Sequence, residues 1–162
     1  MRDYLICLTR EYTDGRMDNR AGWNAEMHPL YKKANELSPV VIHAAIDVYK
    51  HFGPGLLESI YTRCLARELE LLGYCVLREK RVNIEYKGLA FDESLRFDLL
   101  VEECLLVEAK VSESGIHPEN RHQLLSYERL LDIPLGLIFN FGDIRFGDRG
   151  IQRVILKGAD SL

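Results

Sequence analysis

Residues 96–111 read Arg96-Phe97-Asp98-Leu99-Leu100-Val101-Glu102-Glu103-Cys104-Leu105-Leu106-Val107-Glu108-Ala109-Lys110-Val111, and their reading decides the fold. Two apolar runs, Phe97 to Val101 and Leu105 to Val111, have the length and composition of strands, with a short polar break between them. On the second strand Glu108 and Lys110 stand two residues apart and so share a face, while Val107, Ala109 and Val111 take the other. Charges inside a strand this apolar are costly unless something uses them. The run is also too apolar for a comfortable sheet edge. If residues 102–104 form a three-residue loop, Asp98 comes to lie directly opposite Glu108. A two-residue turn would put the two carboxylates on opposite faces.

Working outward, two helices precede the strands. Ser38-Pro39 reads as an N-cap with proline at the first helical position, followed by Val41, Ile42, Ala45, Ile46 and Tyr49 at helical spacing. Gly53-Pro54-Gly55 stops this helix near Phe52. A second helix is expected from about Leu56 to Leu72, with Leu57, Ile60, Tyr61, Cys64, Leu65, Leu69 and Leu72 forming one apolar arc. Glu58 falls inside that arc and should face the protein body. Strands are expected at Tyr74–Arg78 and at Val82–Tyr86 before the Lys87-Gly88 turn. A helix from about Pro118 to Leu131, a buried strand from Leu135 to Phe141 and an edge strand at Ile151–Leu156 complete the chain. The order is helix, helix, four strands, helix, strand: an α/β sandwich with a mixed central sheet.

The 162 residues, 47% of them apolar, suffice for one core. Residues 1–26 lack a clean period and are expected to be a loosely docked N-terminal extension, with the domain at 27–162; Met27 is a candidate physiological start. Charges at Arg2, Asp3, Arg10 and Glu11 interrupt any signal-peptide core. No run approaches the roughly 18 apolar residues of a membrane helix. A cytoplasmic location with no membrane contact is expected. Cys7, Cys64, Cys75 and Cys104 show no zinc spacing, and all four read as reduced. The net charge of −4 argues against a protein that holds nucleic acid by phosphate neutralisation alone.

Two carboxylates, Asp98 and Glu108, with Lys110 beside them suit Mg²⁺-dependent phosphodiester cleavage. Mg²⁺ takes hard oxygen ligands and one or two protein carboxylates, and an ammonium can orient water or counter phosphate charge.

Asp98 with Glu108-Ala109-Lys110 resembles the D…(D/E)xK signature of the PD-(D/E)XK nuclease superfamily. Gly55-Leu-Leu-Glu58-Ser-Ile-Tyr61 resembles the motif of its GxxExxY group. Arg96, Gln123-Leu-Leu-Ser-Tyr127 and Asn140-Phe141-Gly142 also match, so that the resemblance spans about residues 28–156. It implies a restriction-endonuclease-like core (αβββαβ) with an extra N-terminal helix, and a Mg²⁺- or Mn²⁺-dependent nuclease. Asp98, Glu108 and Glu58 would be metal ligands, Lys110 would assist the attacking water, and Glu58, Gln123 and Tyr127 would stand with it among the catalytic residues. The expected partner is nucleic acid, DNA first, and a homodimer is compatible. Phe97 stands where the signature has proline, and His122 replaces a small residue before Gln123. The alternative is a catalytically inactive binding module that keeps the fold.

Plainer roles exist for each residue. Glu58 could stabilise a helix N-terminus by ~0.3–1 kcal/mol, Asp98 could pair with Arg96, and Tyr127 could be core. His117 and His122 read as loop or surface residues. Arg78, Lys80, Arg81 and Lys87 read as a solvated edge that is also the best basic patch for DNA.

Overall fold

Leu105–Lys110 forms the central strand of a five-stranded sheet in a computed structural model that describes residues 27–79 and 81–161. The expectations for residues 1–26, including Cys7, and for Lys80 lie outside those residues. In chain order the elements are α1 (Tyr31–Phe52), α2 (Glu58–Leu71), β1 (Val76–Arg78), β2 (Arg81–Tyr86), β3 (Leu89–Arg96), β4 (Leu99–Val101), β5 (Leu105–Lys110), α3 (Pro118–Leu131), β6 (Leu135–Asn140), α4 (Phe146–Arg149) and β7 (Ile151–Ile155). The sheet order is β1-β4-β5-β6-β7; β5 and β6 are parallel, joined through α3, and the other neighbours are antiparallel. This is the mixed α/β architecture expected, a mostly antiparallel sheet flanked by helices.

Strand alternation sends side chains into two cores. On one face Leu99, Val101, Val107 and Ala109 pack with Leu37, Val41, Tyr61, Leu65 and Leu69 of α1 and α2. On the other, Leu100, Leu106, Ile138 and Val154 pack with Leu124, Tyr127 and Leu131 of α3. Leu65 and Leu69 are fully buried, so truncating either to Ala would cost ~2–5 kcal/mol.

Several expectations are corrected. α1 starts at Tyr31, so Ser38 is no N-cap and Pro39 lies inside the helix. Proline there leaves the Asn35 carbonyl without its usual i+4 donor. The Ser38 hydroxyl donates to that carbonyl at 3.0 Å, and Arg153 of β7 bonds the Asn35 and Ser38 side chains. β3 was not expected; it pairs only with β2, as a separate two-stranded sheet. The short α4 was also missed. Leu57 and Leu72, placed in the buried arc of α2, are 71% and 55% exposed because they lie just outside the helix ends. Cys64 and Cys104 are free thiols as expected, whereas Cys75 is disulfide-bonded. No helix among the described residues is long and apolar enough to cross a membrane.

Candidate active site

The turn between β4 and β5 is the three-residue loop Glu102-Glu103-Cys104. Glu102 and Glu103 take left-handed φ values of 52° and 55°. Such a backbone is costly for non-glycine residues, and Glu102 is anchored against it. Its carboxylate accepts the Cys75 amide at 2.9 Å and the Lys33 ammonium at 2.8 Å. The register that follows pairs Leu99 with Val107. One step further along, the Asp98 carboxylate accepts the Ala109 amide at 2.8 Å, which brings it beside Glu108.

Glu108 is only 3% exposed. Its Oε2 lies 3.3 Å from Lys110 Nζ, and its buried Oε1 has no hydrogen-bond partner among the described residues. Burial, and then the neighbouring Asp98 charge, push the Glu108 carboxyl up to about 8 against the pull of Lys110. Glu58, in the first turn of α2, places Oε1 3.8 Å from Lys110 Nζ. Partial burial and Asp98 raise the Glu58 carboxyl; Lys110 and the Val111 amide oppose them. Burial works against the Lys110 charge, but Glu108, Glu58 and Asp98 outweigh it and hold the ammonium above its ordinary value. Three carboxylates from α2, the approach to β4, and β5 thus surround one lysine.

α3 closes the neighbouring side. Tyr127 is buried; its hydroxyl donates to the Arg96 carbonyl at 3.3 Å and accepts from Gln123 Nε2 at 3.0 Å. Burial raises the Tyr127 phenol, with Glu108 and Asp98 adding to the effect and the Gln123 bond opposing it. Gln123 itself is exposed, and its Nε2 donates to the Tyr127 hydroxyl. His117 serves in the capping box of α3, and His122 is exposed. The Gly55…Glu58…Tyr61 motif has a structural part. Gly55 takes φ 112°, and the fully buried Tyr61 hydroxyl accepts the Leu56 amide and donates to the Gly53 carbonyl. The Tyr61 ring stacks on Phe141 with centroids 4.4 Å apart. The corner that launches Glu58 is therefore tied to the end of β6.

Asn140 had no assigned role in the sequence. It is fully buried, pairs with Lys110 in register, and clamps the chain just beyond it. Its Oδ1 accepts the Ser112 amide and its Nδ2 donates to the Ser112 carbonyl, both at 2.8 Å, while Phe141 N–H donates to the Lys110 carbonyl at 2.8 Å. Gly142 belongs to the same device, since a Cβ there would meet Ser112 N at 2.6 Å. The available signal was a polar residue inside the apolar run Leu135–Phe141.

Among the described residues, no group of three or more His, Cys, Asp or Glu side chains stands as a formed metal cage. Mg²⁺ needs only one or two protein carboxylates and keeps its waters. The orphaned Glu108 Oε1 beside Asp98 fits that demand. The cleft of about 680 Å³ between α1 and α2 contains none of these residues; the site is instead gathered at one end of the central strands.

A central strand pair carrying an acidic centre with a lysine, backed by α3, defines a nuclease-like α/β domain. Residues 35–154 match the family model of the PD-(D/E)XK nuclease superfamily, and the chain belongs to that superfamily. No curated protein and no solved structure matches it.

Proposed function

We propose that the protein hydrolyses nucleic-acid phosphodiester bonds, DNA first, with Mg²⁺ or Mn²⁺, and that within its superfamily it is of the GxxExxY type. The observation that carries this is Glu108: a carboxylate almost wholly buried, one oxygen unpartnered, held between Asp98 and Lys110. A carboxyl that burial keeps protonated until about 8 gains much by exchanging its proton for a cation.

In this reading Asp98 and Glu108 hold the ion, with Glu58 adding a carboxylate from α2. When bound, the ion would polarise a phosphoryl oxygen and lower the pKa of a water. Lys110 orients the attacking water and counters charge on the phosphate. Gln123, exposed beside the site, meets water or phosphate, and Tyr127 holds Gln123 in place.

The test is cleavage of single- and double-stranded DNA and RNA with Mg²⁺, Mn²⁺ or EDTA. Lys110→Ala should lower the rate by ~100-fold or more, and Asp98→Ala should abolish metal-dependent cleavage with the fold retained. Cleavage by Asp98→Ala at the wild-type rate would overturn the mechanism. No cleavage of any substrate by the wild-type protein would favour a binding module on the same fold.

A further inference from the structure

The β5–β6 ladder stops one step short of the segment that carries the site. Lys110 and Asn140 are its last register pair, and the Phe141 N–H donates to the Lys110 carbonyl at 2.8 Å. A parallel ladder continued by one step would give the Ser112 N–H the Phe141 carbonyl and the Ser112 carbonyl the Asp143 amide. β6 does not supply them. Its chain turns away at Gly142, and the Asp143 amide points back to the Asn140 carbonyl at 3.3 Å. The Asn140 side chain makes both bonds instead: Oδ1 accepts the Ser112 amide and Nδ2 donates to the Ser112 carbonyl, each at 2.8 Å. Oδ1 also accepts the Gly142 amide at 3.2 Å, which fixes the turn itself. A side-chain amide offers a donor and an acceptor side by side, as a peptide does. Aspartate would set an oxygen against the Ser112 carbonyl, and leucine would leave both groups unpaired. Gly142 completes the fit, since a Cβ there would lie 2.6 Å from Ser112 N.

The segment held in this way faces the carboxylates. The peptide between Lys110 and Val111 is bonded at its carbonyl by Phe141, and its N–H is turned toward the Glu58 carboxylate. The two peptides that follow are bonded by Asn140. Phe141 also stacks on Tyr61 of α2, with ring centroids 4.4 Å apart, so the helix that carries Glu58 rests on the same turn. Released from Asn140, β5 would fray from its open end. That end carries the Lys110 ammonium, 3.3 Å from Glu108 and 3.8 Å from Glu58.

We infer that Asn140 is a positioning residue for the proposed hydrolysis: its side chain completes the β5–β6 ladder and, by fixing residues 110–112, holds Lys110 and Glu58 against each other beside Glu108. Fully buried, it acts through these neighbours. The inference rests on the proposed function only for what Lys110 and Glu58 do.

Three measurements on the full chain test it. In the wild-type protein the Ser112 amide, which lies beyond the end of β5, should be as protected from hydrogen exchange as the β5 amides. Exchange at the rate of a free loop amide overturns the inference without any variant. Asn140→Leu and Gly142→Ala then disturb Ser112 in two independent ways. In either, acetylation of Lys110 in EDTA, followed by mass spectrometry, should speed up several-fold while that of Lys33 stays constant. Lys33 is bonded to Glu102 at the opposite end of β5, so it reports loosening of the whole fold. No rise at Lys110, or an equal rise at Lys33, overturns the inference. With Mg²⁺ present, kcat should fall ~10–100-fold while KM for the oligonucleotide holds. A wild-type kcat, or a loss carried by KM alone, overturns the positioning role. A wild-type protein that cleaves nothing sinks the proposed reaction alone, because exchange and acetylation still decide whether Asn140 holds the Lys110 segment.

Discussion

Glu108 is where stability and chemistry pull hardest against each other. An ionised carboxylate at 3% exposure is costly unless paired on both oxygens, and here Oε1 has no partner among the described residues. Glu108→Gln removes the ionisable group and keeps the shape. We expect the metal-free protein to become more stable by ~1–3 kcal/mol at pH above 8, the usual penalty for an unsatisfied buried polar group, while cleavage is lost. Urea unfolding at pH 9 beside the nuclease assay checks both. A variant less stable than wild type would mean that the carboxylate serves the fold, and its assignment as a ligand would fail. Asn140 is the opposite case, a buried polar residue whose Oδ1 and Nδ2 both find partners, so its polarity holds the Ser112 and Gly142 backbone beside the site rather than awaiting a ligand.

At the scale of elements, α3 carries a group the site does not use. Glu128 is fully buried with neither carboxylate oxygen hydrogen-bonded among the described residues, packed where Gly136 of β6 leaves room; a Cβ there would lie 2.7 Å from its Oε1. Burial raises this carboxyl to about 8, with Arg121 and Arg129 pulling the other way. The folded state therefore keeps a proton that the unfolded state releases near 4.5. Its contribution is full below that pH and is lost as pH rises through about 8, a slope of up to ~1.4 kcal/mol per pH unit. Glu108 adds a slope of the same sign, so Glu128→Gln should flatten the pH dependence of unfolding between 5 and 8 without abolishing it. An unaltered slope would place the proton elsewhere. Nothing in the sequence marks Glu128 as buried, because it stands among Tyr127, Arg129 and Leu130 on a helix with charges on several sides. β5 was legible for the contrary reason: an apolar run interrupted by two charges of one parity has few places to go. The loop of residues 102–104 could be posed only as a condition, since its left-handed Glu102 is held by Lys33 and Cys75 from distant elements. The start of α1 was misread because Ser38-Pro39 looks like a cap when Arg153 and the Asn35 carbonyl are out of sight. β3 was missed because Leu89 and Phe91 face solvent, so the run lacks the pattern of a strand packed on a core.

For the molecule as a whole, the site exists only when the chain is folded. Glu58 is delivered by α2, Asp98 by the approach to β4 and Glu108 by β5, and Asp98 adds to the pressure on both glutamates. An ion that binds this arrangement binds the folded state and has little to hold in the unfolded one, so mass action must stabilise the protein. At a concentration 100-fold above the dissociation constant the gain is ~2.7 kcal/mol, which for a chain of this length raises Tm by ~5–10 °C. Mg²⁺ or Mn²⁺ should produce that rise in the wild-type protein, and EDTA should reverse it. NaCl at matched ionic strength should not reproduce it, because general screening is weak at a buried carboxylate. Asp98→Ala should lose the shift, and so should Glu108→Gln, although the latter begins from a higher Tm in EDTA at alkaline pH. The combination separates a bound ion from a relieved charge: screening would act on both variants and on the wild type alike, whereas a ligand set fails when either member is removed. An equal shift in all three proteins would mean the ion binds elsewhere on an acidic surface, and the assignment of Asp98 and Glu108 as its ligands would fall.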